Sequence, residues 1–307
     1  MPGWTAEQIT DQSGRTAVVT GANSGLGLIT ARELARAGAC VVGTARTVGK
    51  AQETEVEIRS AVPAARLEMR LLDLADLESV RGFAAEVTDG HEDLDLLILN
   101  AGVMMPPRSV TPDGIELQFA TNHLGHFALT GLLLGHLTLG LDPRVVTVTS
   151  LEHRPGRIDF DDLGSERSYH PRSAYQRSKF ANAVFGLELD RRLRAAGSPV
   201  KSVLAHPGYS ATNLQVSGPT GAMKALLRVG NRVLAQSAER GALPQLYAAT
   251  ADGVEGGEFY GPDGPREARG FPTRVEPVGR ARDAELGRRL WEVSEELTGV
   301  SYALTPA

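Results

Sequence analysis

The chain has one cysteine, Cys40, among 307 residues. A single cysteine excludes an intramolecular disulfide and any multi-cysteine metal site. Cys40 falls in a predicted strand, where it is expected to fill apolar space. There is no excess of positive charge. The formal net charge is −5, which gives no support for nucleic-acid binding. Long hydrophobic runs are also missing. The longest apolar stretch, Phe127 to Leu141, contains His136 and Thr138 and is too short to span a bilayer. Met1 to Ser13 is polar apart from Trp4 and Ile9, unlike a secretory signal. These absences predict a cytoplasmic protein with no integral membrane segment. No internal repeat and no domain linker interrupt the sequence. What is present, 42% hydrophobic and 22% charged residues, fits an ordinary globular chain able to bury a sizeable core.

The first ordered unit is read at Thr16 to Thr20, a short buried-strand pattern. Gly21-Ala22-Asn23-Ser24-Gly25-Leu26-Gly27 follows, then a helical run from Leu28 to Ala37 ended by Gly38, then a second strand from Ala39 to Thr44. Strand, glycine turn, helix, strand is one βαβ unit. Such glycines let the backbone N–H groups approach a diphosphate at the helix N-terminus, where the dipole favours anions. A plain glycine-rich turn is the alternative, and the strand before and helix after favour phosphate binding. An acidic residue at the end of the second strand is the usual partner of a free ribose 2′-hydroxyl. Here that end reads Thr44-Ala45-Arg46-Thr47. The missing carboxylate and the presence of Arg46 favour NADP(H) over NAD(H), with a surface arginine as the other reading.

The alternation continues with a helix-compatible run, Thr47 to Ser60, and a strand, Arg66 to Leu72, ending in Asp73-Leu74. A helix over Asp76 to Thr88 has Asp76 as its N-cap, and a buried strand, Leu94 to Leu99, ends in Asn100-Ala101-Gly102. Strand ends on one side of a parallel sheet gather at one crevice. Gly21, Arg46, Asp73, Asn100 and Ser150 should therefore line one edge. Pro112 to Thr138 reads as a long helix with an apolar middle, so Asn122 is a buried amide that needs a partner. A neighbouring backbone carbonyl would serve; so would a water held beside a lysine. His123 and His126 have no carboxylate or cysteine cluster around them, so they are read as packing or surface residues, and no metal is expected.

Val145 to Thr149 is a strand that delivers Ser150. Tyr175-Gln176-Arg177-Ser178-Lys179 starts a helical pattern that ends near Gly197. Tyr175 and Lys179 are four residues apart and share a helix face. A phenol beside an ammonium, with a hydroxyl brought up by a strand end, is a proton-transfer set. Leu151 to Ser173 is rich in charge, proline and histidine. It is read as one wall of a substrate site, the alternative being a surface loop. Val200 to Ala205 is another strand, followed by His206-Pro207-Gly208. Gln215 to Gln236 reads as an amphipathic helix: a lid, a subunit interface or a membrane-surface element, with the lid preferred. Ala238 to Ala251 and Arg282 to Leu297 are helices, Glu258 to Tyr260 is a last strand, and Gly261 to Gly279, dense in Gly and Pro, is a surface loop. The fold class is α/β: a single-domain Rossmann fold over residues 1–307, a doubly wound parallel sheet of about seven strands with helices on both faces.

Together these residues resemble the short-chain dehydrogenase/reductase family over nearly the whole chain. The resemblance rests on TGANSGLG at Thr20 to Gly27, Asp73-Leu74, NAG at Asn100 to Gly102, Asn122, Ser150, the YxxxK of Tyr175 to Lys179, and Pro207-Gly208 with Thr212. TNHLGHF at Thr121 to Phe127, the long insert between Ser150 and Tyr175, and LWEVSEELTG at Leu290 to Gly299 are most similar to the branch of retinol dehydrogenases and WW-domain oxidoreductases. No stretch matches the membrane anchor of many retinol dehydrogenases, so membrane residence and retinoid use are not carried over. Cys40 does not match the substrate-site cysteine of the protochlorophyllide enzymes.

The resemblance implies an NADP(H)-dependent oxidoreductase acting on a carbonyl or alcohol. Tyr175 would be the general acid–base, with Lys179 lowering its pKa and bonding the nicotinamide ribose. Ser150 would bond the substrate oxygen, and Asn122 would hold a water. Gly21, Asn23, Ser24, Gly25, Leu26, Gly27 and Arg46 would meet the phosphates and ribose. Asp73 and Leu74 would flank the adenine, Asn100, Ala101 and Gly102 would pack along the cofactor, Pro207 and Gly208 would also bind the cofactor, and Thr212 would meet the carboxamide or the diphosphate. Residues 16–150 would form mainly the cofactor half and 151–307 the catalytic helix and substrate half. Family habit suggests a homodimer or homotetramer. A non-catalytic NADP(H)-binding sensor is the alternative, against which the intact Asn, Ser, Tyr and Lys set speaks.

Overall fold

The computed structural model describes residues 3–210 and 236–304. Its centre is an eight-stranded sheet: β1 (Thr16–Val19), β2 (Cys40–Ala45), β3 (Arg66–Leu71), β4 (Leu96–Leu99), β5 (Arg144–Val148), β6 (Lys201–Ala205), β7 (Phe259–Pro262) and β8 (Pro272–Arg274). The spatial order is β3-β2-β1-β4-β5-β6-β7-β8. The first seven strands pair in parallel, and β8 returns antiparallel along β7, with Tyr260 opposite Arg274. The expected sheet thus gains a short edge strand inside the region read as a surface loop. Three residues bounded by Gly and Pro give no alternation signal, and their pairing with β7 is what makes them a strand.

Alternate residues of each strand enter opposite layers, as the pleat requires. Ala17 and Val19 pack with Val41, Ile98, Val146 and Leu246 on one face. Val18 packs with Val42, Leu97, Leu99, Phe127, Phe185 and Trp291 on the other. The first layer carries helices α1 (Gly25–Arg36), α2 (Val48–Ala61) and α6 (Ala238–Thr250); the second carries α3 (Leu77–Gly90), α4 (Gly125–Leu137), α5 (Pro171–Ala195) and α7 (Ala284–Thr298). The N-caps are readable. Asp76 accepts from the Glu78 and Ser79 N–H groups, and Thr47 accepts from that of Lys50.

Two helix boundaries differ from the sequence reading. Helix α1 begins at Gly25, inside the glycine motif. The long helix expected from Pro112 begins at Leu117 instead. Gly114 has φ +79° and closes a turn in which Val110 bridges Glu116. Glu116 then caps the helix, accepting from the N–H groups of Gln118 and Phe119. Leu117–Phe119 passes through a π-helical turn, Ala120–Leu124, before α4 continues it. The expected helix over Gln215 to Gln236 and the candidate residue Thr212 lie outside the described residues, apart from Gln236. Cys40, at the start of β2, is only partly buried.

Candidate active site

A cleft of about 650 Å³ opens along the carboxyl edge where the strand order reverses between β1 and β4. Gly21, Asn23, Ser24, Gly25, Leu26, Gly27, Arg46, Asp73, Leu74, Asn100, Ala101 and Gly102 all line it. Tight backbone packing makes this wall. Gly21 has φ +67°, and a Cβ on Gly27 would lie 2.2 Å from the Gly21 carbonyl oxygen. Thr20 is its hub. The Thr20 hydroxyl accepts the N–H of Asn100 at 2.9 Å and that of Ala101 at 3.0 Å. The Asn100 amide donates back to the Thr20 carbonyl at 2.8 Å.

His126 Nδ1 lies 3.0 Å from the Asn122 carbonyl oxygen, which can only accept. Nδ1 therefore carries the ring proton, and Nε2 accepts from the Thr20 hydroxyl at 2.9 Å. Burial pushes the His126 pKa down to about 3, so the ring is neutral. His123 is buried too and meets Ser294 at 2.9 Å. Both histidines are packing residues.

The cleft walls are suited to an anion at one point. Ser24 makes no side-chain cap at the start of α1, whose first turn holds no acidic residue. Gly25, Leu26 and Gly27, the first turn of α1, line the cleft, which sets the positive end of the helix dipole there. At the far end of the cleft stand Arg46 and Lys50, at the start of α2. Arg46 is exposed and has no hydrogen bond or ion pair among the described residues, whereas Lys50 pairs with Glu53 at 2.6 Å. The Asp73 carboxylate holds the Ala75 N–H at 2.9 Å.

The proposed proton-transfer residues sit beyond Gly102. The Asn122 amide is fixed by protein partners. Its Oδ1 accepts the Val103 N–H at 2.7 Å, and its Nδ2 donates to the Val103 carbonyl and to Ser178 Oγ, both at 2.9 Å. A Cβ on Gly102 would lie 3.0 Å from Asn122 Oδ1 and 3.7 Å from Lys179 Nζ. Glycine at 102 thus brings the cleft floor up to both side chains. Lys179 Nζ donates to the Val148 carbonyl at 3.1 Å, and burial pushes its pKa down to about 8.

Tyr175, on the same helix, is buried, with its hydroxyl near enough to Ser150 for the serine to favour the phenolate. Burial pushes the phenol up to about 12, against the lowering effect of Ser150. The lysine was expected to lower it; here Lys179 is turned to the Val148 carbonyl, and desolvation of the phenolate dominates. Pro207 and Gly208, at the end of β6, stand apart from the cleft lining.

The family model described as short chain dehydrogenase matches residues 15–221. The chain belongs to this family. Among relatives of this short-chain dehydrogenase, the mouse polyprenol dehydrogenase is 43% identical, over 94% of this chain and 85% of its own. Human retinol dehydrogenase 13 is 39% identical with the same coverages. These place the chain in the retinol dehydrogenase-like branch. The crystal structure of an uncharacterised protein from Mycobacterium paratuberculosis is 45% identical, covers 98% of this chain and 100% of its own, and superposes with a TM-score of 0.82. An NAD(P)-dependent gluconate 5-dehydrogenase from Beutenbergia cavernae, solved with NADP at low occupancy, is 26% identical over 78% of this chain and 91% of its own, with a TM-score of 0.60. The chain is thus an NAD(P)-dependent oxidoreductase acting on CH–OH groups and their carbonyl counterparts.

Several residues of this short-chain dehydrogenase site were not singled out from sequence. Thr20 carried a signal, since it opens the glycine motif at a strand end. Lys50 carried a weaker one, one turn after the Thr47 cap. Val103, Met104, Pro106, Leu117 and Thr121 complete the cleft lining. The insert between Ser150 and Tyr175 is pinned from within. Arg177 reaches the Glu116 carboxylate at 3.3 Å and Ser165 Oγ at 3.0 Å. Gln118 donates to Tyr169 at 2.9 Å, and Tyr169 donates to the Pro106 carbonyl at 2.8 Å. Outside the site, Cys40, Glu68 and His91 have ligand-type atoms within 4.8 Å of one another at the opposite end of β2, where Glu68 is already engaged by Arg70 at 2.7 Å.

Proposed function

We propose that this short-chain dehydrogenase transfers a hydride between NADP(H), preferred over NAD(H), and a lipophilic aldehyde, ketone or secondary alcohol, with Tyr175 as general acid–base. The observation that carries the reading is the buried Tyr175 phenol facing Ser150, one helical turn from the buried Lys179. A phenol near 12 holds its proton at neutral pH and can give it to a carbonyl oxygen as negative charge develops there. Ser150 stabilises that oxygen by a hydrogen bond. Lys179, near 8, stays largely cationic at pH 7 and favours the resulting phenolate. When bound, the nicotinamide supplies or accepts the hydride.

The cleft suits such a cofactor: the uncapped N-terminus of α1 for the diphosphate, and Arg46 with Lys50 for a 2′-phosphate. In this reading Asp73 and Leu74 flank the adenine, Asn100 to Gly102 pack along the cofactor, and Pro207 and Gly208 face its nicotinamide end. Relatives named for polyprenol and retinol support an apolar substrate. No described helix is long and apolar enough to cross a membrane. A cytoplasmic location and a homodimer or homotetramer belong to the same proposal.

The test is NADPH oxidation against a panel of lipophilic aldehydes and ketones, with Tyr175→Phe alongside. Wild-type turnover is expected, with the variant slower by about 10²–10⁴-fold and NADPH affinity unchanged. Tight NADPH binding without turnover on any panel member would favour the sensor reading instead.

A further inference from the structure

We infer that Glu267 is a positioning residue of the active site: its carboxylate ties the turn that carries Ser150 to the turn that carries Pro207 and Gly208. The inference rests on the proposed roles of Ser150 and Tyr175.

The segment between β7 and β8 gave no sequence signal beyond its Gly and Pro content. In the fold it is a tight hairpin pressed onto the end of β6. The Ala268 carbonyl accepts the Tyr209 N–H at 2.7 Å. A Cβ on Gly208 would lie 2.5 Å from that same carbonyl oxygen, and one on Gly261 would lie 2.1 Å from His206 Nε2. Neither position has room for a side chain, so the hairpin and the β6 turn are fitted backbone to backbone at Gly208 and backbone to imidazole at Gly261. At the hairpin tip Arg266 and Glu267 both take positive φ, +55° and +56°. Two successive non-glycine residues in that region cost conformational energy that the surrounding contacts must offset. The result is the direction of one side chain.

Glu267 reaches two partners. His206 is fully buried, and its Nδ1 accepts the Gly208 N–H at 3.1 Å. Its proton is therefore on Nε2, which donates to Glu267 Oε2 at 3.0 Å. The other carboxylate oxygen receives Arg154 at 2.6 Å. Arg154 directly follows the short helical turn Leu151–His153 that Ser150 caps. Within that turn His153 Nδ1 lies 2.6 Å from the Ser150 carbonyl oxygen, and His153 Nε2 accepts the Val278 N–H at 3.2 Å. The same downstream segment sends Arg280 to the Gly156 carbonyl at 2.6 Å. One strap, residues 261–280, thus grips the Ser150 turn on one side and the Pro207–Gly208 turn on the other. Glu267 bonds both, through Arg154 on one side and His206 on the other. Its bonds to His206 and Arg154 hold its pKa below the ordinary carboxylate value, so the link is ionised at neutral pH.

In the proposed mechanism Ser150 orients the substrate oxygen, and the β6 turn faces the nicotinamide end of the cofactor. The distance between the two turns then sets how well hydride and proton transfer are aligned. A misplacement of about 1 Å costs on the order of 10²-fold in rate.

The experiment compares Glu267→Ala and Arg154→Met with wild type, reading kcat, KM for the carbonyl, NADPH affinity and Tm. Arg154 is half exposed, so its variant keeps the fold even where Glu267→Ala does not. Both variants are expected to lower kcat, Glu267→Ala by roughly 10- to 100-fold and Arg154→Met by less. NADPH affinity, set mainly at the other end of the cleft, should stay near wild type. Glu267→Gln, which keeps an acceptor for His206, should recover part of the loss. Unchanged kcat in Glu267→Ala and Arg154→Met at a temperature where both are folded would overturn the inference. The Tyr175→Phe control keeps the failures apart. Turnover surviving in that variant would sink the proposed chemistry, whereas its loss beside an indifferent Glu267→Ala would sink only the positioning role.

Discussion

The two walls of the site are built by different means. Along the edge of β1, β2 and β4 the protein places its surface with backbone: strand ends held by sheet pairing, a positive-φ glycine at 21, and hydrogen bonds from Asn100 and Ala101 to Thr20. Beyond β5 it uses long side chains. Glu116, Arg177, Gln118, Tyr169 and Glu267 cross-link irregular chain over tens of residues in sequence. A wall hung on strand ends has its position fixed before any side chain is chosen. A wall of irregular chain has no ladder to fix it, so each cross-link carries a large share of its order. Apart from Thr20, the first wall should tolerate loss of one polar side chain; the second should not.

The largest effect that tests this contrast is expected at Glu116. Its side chain is fully buried, pairs with the nearly buried Arg177 guanidinium and caps Gln118 and Phe119. Glu116→Ala leaves that guanidinium without its carboxylate and should cost roughly 3–5 kcal/mol in denaturant unfolding. NADPH binding by the folded variant should persist. A loss typical of an exposed pair, below about 1 kcal/mol, would erase the distinction between the walls.

Arg46 sharpens the comparison from the other side, since it is where the backbone-built wall is proposed to rely on a charge. Arg46→Ala should weaken NADPH binding by about 10- to 100-fold, the worth of a hydrogen bond to a charged group, with NADH unaffected. Equal weakening of both cofactors would remove Arg46 from the 2′-phosphate site.

The smallest effect is a pH dependence where the two walls meet. Burial lowers the Lys179 pKa from 10.5 to about 8. In that interval the unfolded chain binds the proton that the folded one releases, so this group's contribution to stability rises with pH there. Reductive kcat/KM should do the opposite, falling as pH passes about 8 and the ammonium is lost. Lys179→Met should abolish the inflection along with most of the activity. A wild-type profile flat up to pH 10 would separate Lys179 from proton transfer.

The same contrast explains what could be read in advance. The parallel sheet, the helices on both its faces and the gathering of Gly21, Arg46, Asp73 and Asn100 at one edge follow from alternation and glycine placement, which are local signals. Asp76 announced its helix as a cap. The start at Leu117 was missed because Pro112 opens a turn as readily as a helix, and Gly114 decides for the turn only once Val110 meets Glu116. The pinning of Tyr169 by Gln118 and the link from Glu267 to His206 join residues remote in sequence, and no short window contains both partners, whereas the three residues of β8 are too few to show alternation. The resemblance implies a Tyr175 phenol lowered by its lysine; it is raised because burial, which sequence does not quantify, outweighs the lowering effect of Ser150.

The π-helical turn at Ala120–Leu124 gives one helix two reading frames. Upstream of it, Gln118 serves the substrate side, bonding the Met105 N–H and Tyr169. Downstream, Gly125 lies so close to the Leu74 carbonyl that a Cβ would sit 2.3 Å away, and His126 braces Thr20. Each α-helical residue advances the face by about 100°. Winding the same residues as plain α-helix would swing everything after the turn by that angle, taking His126 from Thr20. The wider turn absorbs one extra residue, so the helix serves both sides without moving either face.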